Sequence, residues 1–133
     1  MFRWPSRYAI DRSRRQRLVV TVSGTISKYD PDEQDDSGAL HQLLTIIVEE
    51  MSAGGRQPDL EAGQHVHVAI RYGDGEGLPE AIEGLQTGEV IELQGAFVPA
   101  EEAYEQEDGL RLAVIHFTHR PLGWVKYQGR MYR

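Results

Sequence analysis

Residues 111–133, RLAVIHFTHRPLGWVKYQGRMYR, join an apolar strand to a basic, aromatic end, and the rest of the chain is arranged around them. The segment from residue 110 to residue 117 is rich in branched and aromatic side chains, which favours a buried strand that ends before Pro121 and Gly123. His116 and His119 therefore lie where this strand ends. Such positions commonly carry function, so the two histidines are the first candidates for a site.

The composition is that of one ordinary globular domain. The chain has 133 residues, 40% of them hydrophobic, which is enough for a single core. It has no cysteine, which excludes disulfides, thiolate metal sites and a cysteine nucleophile. The first residues contain no apolar run of signal-peptide length, and no later segment approaches the roughly 20 apolar residues of a membrane span. We therefore expect a cytoplasmic protein that has no membrane partner.

Charge is distributed unevenly along the chain, whose formal net charge is -7. Residues 1–17 carry six arginines and one aspartate, residues 18–119 carry four basic and twenty acidic groups, and residues 120–133 carry four basic groups. We divide the chain into a basic N-terminal arm, residues 1–17, and a body, residues 18–133. The aromatic residues of the arm suit stacking on single-stranded nucleic acid, but we expect the arm to pack on the acidic body and neutralise it.

The first two strands are separated by an acidic loop. Residues 18–27 are rich in branched side chains and contain Gly24, which marks a bulge or a sharp bend. Residues 28–38 form a turn-rich loop whose aspartates lack the glycine and the final glutamate of a calcium loop. Residues 39–51 include good helix formers, but their LLTIIV centre and turn-rich flanks favour a second strand.

The middle of the chain predicts two more strands with a short helix between them. Residues 64–72 alternate between apolar residues on a buried face and His65 and His67 on a solvated face, with no third metal ligand of matching spacing nearby. Residues 78–85 have a proline near their start and apolar residues at helical spacing. Residues 89–98 are expected to form the fourth strand, with a glycine where the strand bends.

This order of elements is that of an OB-fold. Three strands, a helix and two further strands, with glycines at Gly24 and Gly95, predict an all-β fold, a five-stranded OB-fold-like barrel with one short helix between strands three and four. In such a barrel the strand neighbours are 1-2-3-5-4-1, with strands three and five parallel. The start of strand two and the ends of strands three and five then gather at one rim.

This topology predicts a candidate binding rim of polar and aromatic residues. Its members are His41, Gln42, Arg71, Tyr72, His116, Thr118, His119 and Trp124. Three histidines and a water can bind zinc, and a histidine can act as a general base. However, residues three apart point to opposite faces of an unbroken strand. We therefore expect one of the histidines near residue 117 to be a hydrogen-bonded structural residue, Trp124 to pack on the barrel, and no metal or cofactor to be bound.

A set of positions resembles a small bacterial domain family of unknown function that is placed among OB-folds and is often exported. These positions are His41, Gln42, residues 115–119 (IHFTH), Gly123, Trp124, Gly129 and Tyr132. The resemblance covers roughly residues 22–133, and the ending is its specific part. The chain departs from the family in its basic arm, in a longer acidic loop before strand five and in a shorter link between His119 and Gly123. The resemblance implies the fold and the candidate residues, but no reaction.

Three classes of function are compatible with these patterns. We expect a non-catalytic binding or interaction module, whose rim and aromatic tail hold a partner protein or a small ligand. Single-stranded nucleic-acid binding is a frequent use of the OB-fold, but the loops that usually flank that groove, residues 28–38 and 99–109, are both acidic here. A histidine-based metal or hydrolytic site at the rim is the third possibility.

Overall fold

The structure is a computed structural model that describes residues 18–53, 60–103 and 112–133. The basic arm predicted for residues 1–17 lies outside the described residues, as does most of the acidic loop before the fifth strand. The strands are β1 (Leu18–Gln34), β2 (Leu40–Ala53), β3 (His65–Tyr72), β4 (Val90–Val98), β5 (Val114–His116), β6 (Trp124–Tyr127) and β7 (Arg130–Tyr132), with one 3₁₀ turn at Ala100–Glu102.

Five of the strands close into a barrel. The sheet runs in the order β1-β2-β3-β5-β4, and β1 also pairs with β4, which closes the ring. All of these pairs are antiparallel except β3 with β5, which is parallel. This is the predicted strand order, so the five-stranded OB-type barrel is confirmed. Within the described ranges, no helix is long and apolar enough to cross a membrane.

The barrel has a core inside and a smaller core outside. Alternate residues of β1, β2, β3 and β4 fill the interior, together with residues from the connections. The outer core is formed by outward-facing side chains of four strands and one residue after the 3₁₀ turn: Leu43, Ala69, Val98, Ala103 and Val114. Burial on both faces explains why the centre of β2 is a continuous apolar run rather than an alternating one.

The predicted helix at residues 78–85 is wrong, because this segment forms turns. Leu78, Ile82 and Leu85 do enter the core, so their spacing reflects burial and not helix formation. The side chain of Gln42 on β2 makes hydrogen bonds with both the N–H and the C=O of Ile82. In an α-helix these two groups would instead bond to other backbone groups of the helix. Gly84 and Gly88 have φ values of 78° and 88°, left-handed conformations that interrupt a helix.

β1 is longer than predicted, because most of the expected acidic loop continues the strand to Gln34. The turn to β2 is shorter and is built around Asp35, whose Oδ1 accepts hydrogen bonds from the N–H groups of Ser37 (2.9 Å) and Ala39 (3.0 Å). β1 pairs with β4 only from Leu18 to Thr25. Residues 27–45 therefore form an extended hairpin that continues past Val90, the first residue of β4.

The predicted aromatic tail is a second, small hairpin. β6 pairs with β4, and β7 pairs with β6 across the turn residues Gln128 and Gly129, whose φ values are 52° and 76°. Two successive positive φ values are typical of the tight turns that join antiparallel strands. Val125 and Tyr127 point from β6 into the main core, so the ending of the chain is part of the fold.

Candidate functional site

The predicted rim residues do not form one cluster, because neighbours along a strand point to opposite faces. His41 of β2 lies opposite Arg71 of β3 on the outer face of the sheet. Gln42 follows His41 and therefore faces the barrel interior, and Tyr72 likewise follows Arg71. The prediction of a single rim is thus wrong, and the residues divide into an inner and an outer group.

Gln42 belongs to the inner group and has a structural role. Its side chain is 2% exposed. Its Nε2 donates hydrogen bonds to the backbone oxygen of Ile82 and to the hydroxyl of Tyr29, both at 2.9 Å, and its Oε1 accepts from the N–H of Ile82 at 2.8 Å. Gln42 thereby fastens the link between β3 and β4 across one end of the barrel.

Two tyrosines share one carboxylate beside Gln42. The hydroxyl of Tyr72 donates to Oδ2 of Asp32 at 2.6 Å, and the hydroxyl of Tyr29 donates to Oδ1 at 3.3 Å. The hydrogen bond to Asp32, with a smaller effect of burial, raises the pKa of Tyr72 to about 12. Burial is the main cause that raises the pKa of Tyr29, and the hydrogen bond from Gln42 opposes it. Both phenols therefore keep their protons at neutral pH.

An apolar side chain completes this surface. Leu40 lies on the same face of β2 as Gln42 and is directly opposite Tyr72 in the register. Leu40 and Tyr29 are each 37% exposed, and it is their occurrence in one patch, rather than the exposure of either residue, that is informative. We call Tyr29, Leu40 and Tyr72, with Asp32 between the phenols, the tyrosine patch.

His41 belongs to the outer group and is a poor base. It is 7% exposed, and its Nδ1 lies 3.8 Å from Oδ2 of Asp35. Burial lowers the pKa of His41 to about 4, although the nearby carboxylate of Asp35 opposes this effect. The imidazole is therefore neutral at physiological pH, and a base of such low pKa is badly matched to catalysis near neutrality.

Arg71 is held by two carboxylates of the loop that follows β3. Its guanidinium donates hydrogen bonds to Asp74 through Nε and Nη2, and Nη2 also lies 2.8 Å from Oε2 of Glu76. The hydrogen bond from Arg71 lowers the pKa of Asp74 to about 2. The backbone of Gly77 packs against the carbonyl of Arg71, where a Cβ atom would collide. The carboxylates of this loop surround the Arg71 guanidinium, so this cation is already paired within the protein.

An aromatic ring lies beside both histidines at the end of β5. Phe117 has a φ of 56°, an uncommon conformation for a bulky residue, and it turns the chain immediately after His116. Its ring centroid lies 4.1 Å from that of His116 and 6.3 Å from that of His119. The chain does turn where convergence of the two histidines requires it, and the Phe117 ring lies beside both imidazoles.

The residues after Phe117 bond to backbone atoms. Thr118 is fully buried, and its hydroxyl donates to the carbonyl of Ala69 at 3.2 Å, which ties this turn to β3. Nδ1 of His119 donates to the carbonyl of Arg120 at 2.8 Å. Because a carbonyl can only accept, the proton lies on Nδ1 of this histidine. Thr118 and His119 thus hold the turn together.

A metal site has little support in this geometry. Across residues 18–53, 60–103 and 112–133, no group of three or more histidine and carboxylate side chains is arranged to hold a metal ion.

The solvated histidine face predicted for β3 is wrong for His67, which is buried with its Nδ1 3.1 Å from the hydroxyl of Thr45. His65 is exposed as expected. The outer core, which the alternating pattern could not reveal, accounts for the difference.

Trp124 lies on a different part of the sheet. It is half-buried on β6, opposite Gln94 of β4, and it faces away from the core residue Val125. The preceding Gly123 packs so closely that a Cβ atom would collide with the carbonyls of Gln94 and Phe117. The glycine before Trp124 therefore has a structural explanation.

The face that OB-folds usually offer to oligonucleotides is already buried in this chain. That face is the outer surface of strands two and three. Here its central residues are at most 8% exposed: His41, Leu43, Thr45, His67 and Ala69. A ligand strand would have to displace other parts of the protein to lie on it.

The sequence did not identify Tyr29, Asp32 and Leu40, which it assigned to an acidic loop and to a strand start. No local signal marks them, because their grouping depends on the β1–β2 register and its bulges.

A comparison with protein-family models, curated proteins and solved structures finds no match to this chain.

Proposed function

We propose that the protein is a non-catalytic binding module that holds another polypeptide on the tyrosine patch. One observation carries this proposal. Of the four large hydrophobic side chains that are exposed in the described part of the chain, Tyr29 and Leu40 both lie on the extended hairpin. Each of them adjoins Tyr72, Leu40 as its partner in the register and Tyr29 through the shared Asp32 carboxylate. Exposed apolar groups that lie together, with polar groups around them, are typical of interaction sites.

The state of the polar groups supports binding rather than catalysis. A general base works best with a pKa near the operating pH. The pKa of His41 is about 4 and that of Tyr72 is about 12, so neither is poised for proton transfer at neutrality. Gln42 and Thr118 are engaged with backbone atoms. These residues therefore act as parts of the scaffold.

Single-stranded nucleic-acid binding is the weaker alternative. The buried outer face of β2 and β3 and the carboxylates around Arg71 both weigh against it, since phosphate contacts need accessible cations. A histidine-based metal or hydrolytic site is weaker still, because no group of three or more histidine and carboxylate side chains in the described residues is arranged to hold a metal ion. The resemblance to a bacterial domain family and the cytoplasmic location stay predictions.

Site-specific photo-crosslinking in cells that produce the full chain tests the proposal. A photoreactive amino acid replaces Leu40 in one variant and Val90 in a control, because Val90 is 59% exposed but lies on β4, outside the patch. We expect a discrete protease-sensitive adduct from position 40 that position 90 does not give. The adduct should disappear when Tyr29 is also replaced by serine.

The same experiment has two outcomes that contradict the proposal. Adducts from position 40 that nucleases remove, and proteases do not, would make the nucleic-acid alternative the better account. Equal labelling from positions 40 and 90, unaffected by the Tyr29→Ser change, would mean that the tyrosine patch recognises nothing.

A further inference from the structure

The tyrosine patch lies in strongly acidic surroundings. The hairpin tip, residues 31–39, and the loop after β3, residues 73–77, carry six carboxylates and no basic residue. Arg71 at the end of β3 contacts two of these carboxylates and is occupied by them. A surface with this excess of negative charge attracts cations and repels polyanions.

The groups of the patch match an arginine or lysine side chain. The faces of Tyr29 and Tyr72 can receive a cation, an interaction worth about 0.5–2 kcal/mol. Each oxygen of Asp32 accepts one phenol proton and keeps a further lone pair for a charged donor. Leu40 offers an apolar contact to the aliphatic stem that carries the cationic head.

The edge of the extended hairpin is unsuited to pairing with another strand. β1 has register shifts between Ile26 and Lys28 and between Asp30 and Glu33. Pro31 lies in the second of these bulges and has no N–H to donate. Bulges, prolines and charges of this kind are the devices that keep strand edges from pairing. A partner is thus recognised through side chains on the face of the hairpin and not through its edge.

We infer that the tyrosine patch binds a cationic, arginine-containing segment of a partner protein. This inference rests on the proposed function and adds the chemistry of the partner. It is carried by the exposed apolar and aromatic side chains, the shared Asp32 carboxylate and the charge of the two neighbouring loops. The arginine fork adds specificity, because it can reach both oxygens of a carboxylate at once.

Fluorescence anisotropy with the full chain tests this inference. The probes are a labelled peptide of alternating arginine and glycine, the same peptide with glutamate in place of arginine, and a thymidine oligonucleotide. We expect only the arginine peptide to bind at about 0.15 M salt. Asp32→Asn and Leu40→Ser should each weaken its binding by about tenfold, which corresponds to 1.4 kcal/mol.

Matched substitutions outside the patch serve as controls. Glu50→Gln removes one exposed carboxylate from the far end of β2, and Val90→Ser removes an exposed apolar group from β4. We expect both to leave the affinity within about twofold, a change of less than about 0.5 kcal/mol. Unfolding midpoints of all four variants show whether a loss of binding reflects a loss of folding.

Four results would overturn the inference. They are no binding of the arginine peptide, equal loss in the patch and control variants, tighter binding of the oligonucleotide, and a dimer that Leu40→Ser dissociates. Binding that emerges only after the six arm arginines are replaced by glutamine would assign the patch to the chain's own arm instead. If the peptide fails while Leu40 still crosslinks to a protein, the binding module survives and only the cationic partner is wrong.

Discussion

Replacing Gln42 by methionine tests the link between β2 and the barrel end. Methionine has a similar length and volume, so the change removes three hydrogen bonds without opening a large cavity. The backbone N–H and C=O of Ile82, a residue that is 2% exposed, would then lack partners. Each such orphaned group costs about 1–3 kcal/mol, so we expect the two groups to lower the free energy of unfolding by about 2–6 kcal/mol. The Tyr29 hydroxyl reaches solvent and adds little.

Urea unfolding followed by fluorescence measures this loss, and an unchanged m value would show that both proteins unfold from equally compact states. At about 4 °C per kcal/mol, the melting temperature should fall by about 8–24 °C. Gln86→Met is the control, because Gln86 is exposed in the same connection, and its change should stay within about 0.5 kcal/mol. A loss below about 1 kcal/mol for Gln42→Met, or an unchanged exchange rate of the Ile82 amide, would refute the role assigned to Gln42.

Three further predictions concern residues of the outer face. The pKa of His41 is lowered from 6.5 to about 4 by burial, so the unfolded chain binds the proton more tightly, and stability falls as the pH drops through this window. Compared with His41→Gln, the natural chain should lose about 3 kcal/mol more between neutral pH and about pH 4, measured by urea unfolding. Gly123→Ala should cost at least about 2 kcal/mol, because its Cβ meets backbone atoms that cannot move aside; a normal melting temperature would contradict this. Trp124→Ala should cost about 2 kcal/mol in chemical denaturation, less than a fully buried tryptophan, and no loss at all would mean that the ring is a surface platform.

The barrel could be predicted from the sequence because its strands are marked by local patterns. Branched residues, alternation in β3 and a glycine at a β-bulge are properties of neighbouring residues, and Gly24 indeed lies at a register shift where a Cβ would collide with the carbonyl of Ile47. The strand order then followed from one known topology. The β6–β7 hairpin was missed, although Gly129 occupies a position of positive φ in its turn, because Gln128 before it is not a residue that marks such turns.

The candidate site was predicted less well because it depends on which face each side chain takes. His41 and Gln42 are adjacent in sequence and were expected at one rim, yet they lie on opposite faces of β2. The apolar spacing of residues 78–85 is equally compatible with a helix and with a coil that is fastened by Gln42. Asp32 and Tyr72 are forty residues apart, and only the register of three strands brings them together.

The double burial of β2 also bears on how this protein opens. A strand with apolar cores on both sides cannot leave either core alone, so β2 links the interior of the barrel and its outer covering into one cooperative unit. Native-state fluctuations should therefore begin elsewhere, in the part of β1 that has only β2 as a neighbour and in the short β7. Tyr29 and Asp32 of the tyrosine patch lie on that first region, whereas Leu40 and Tyr72 lie on β2 and β3. A partner on the tyrosine patch would therefore contact two parts of the described fold at once, the part of β1 that opens early and the end of a strand that opens only when the whole domain unfolds.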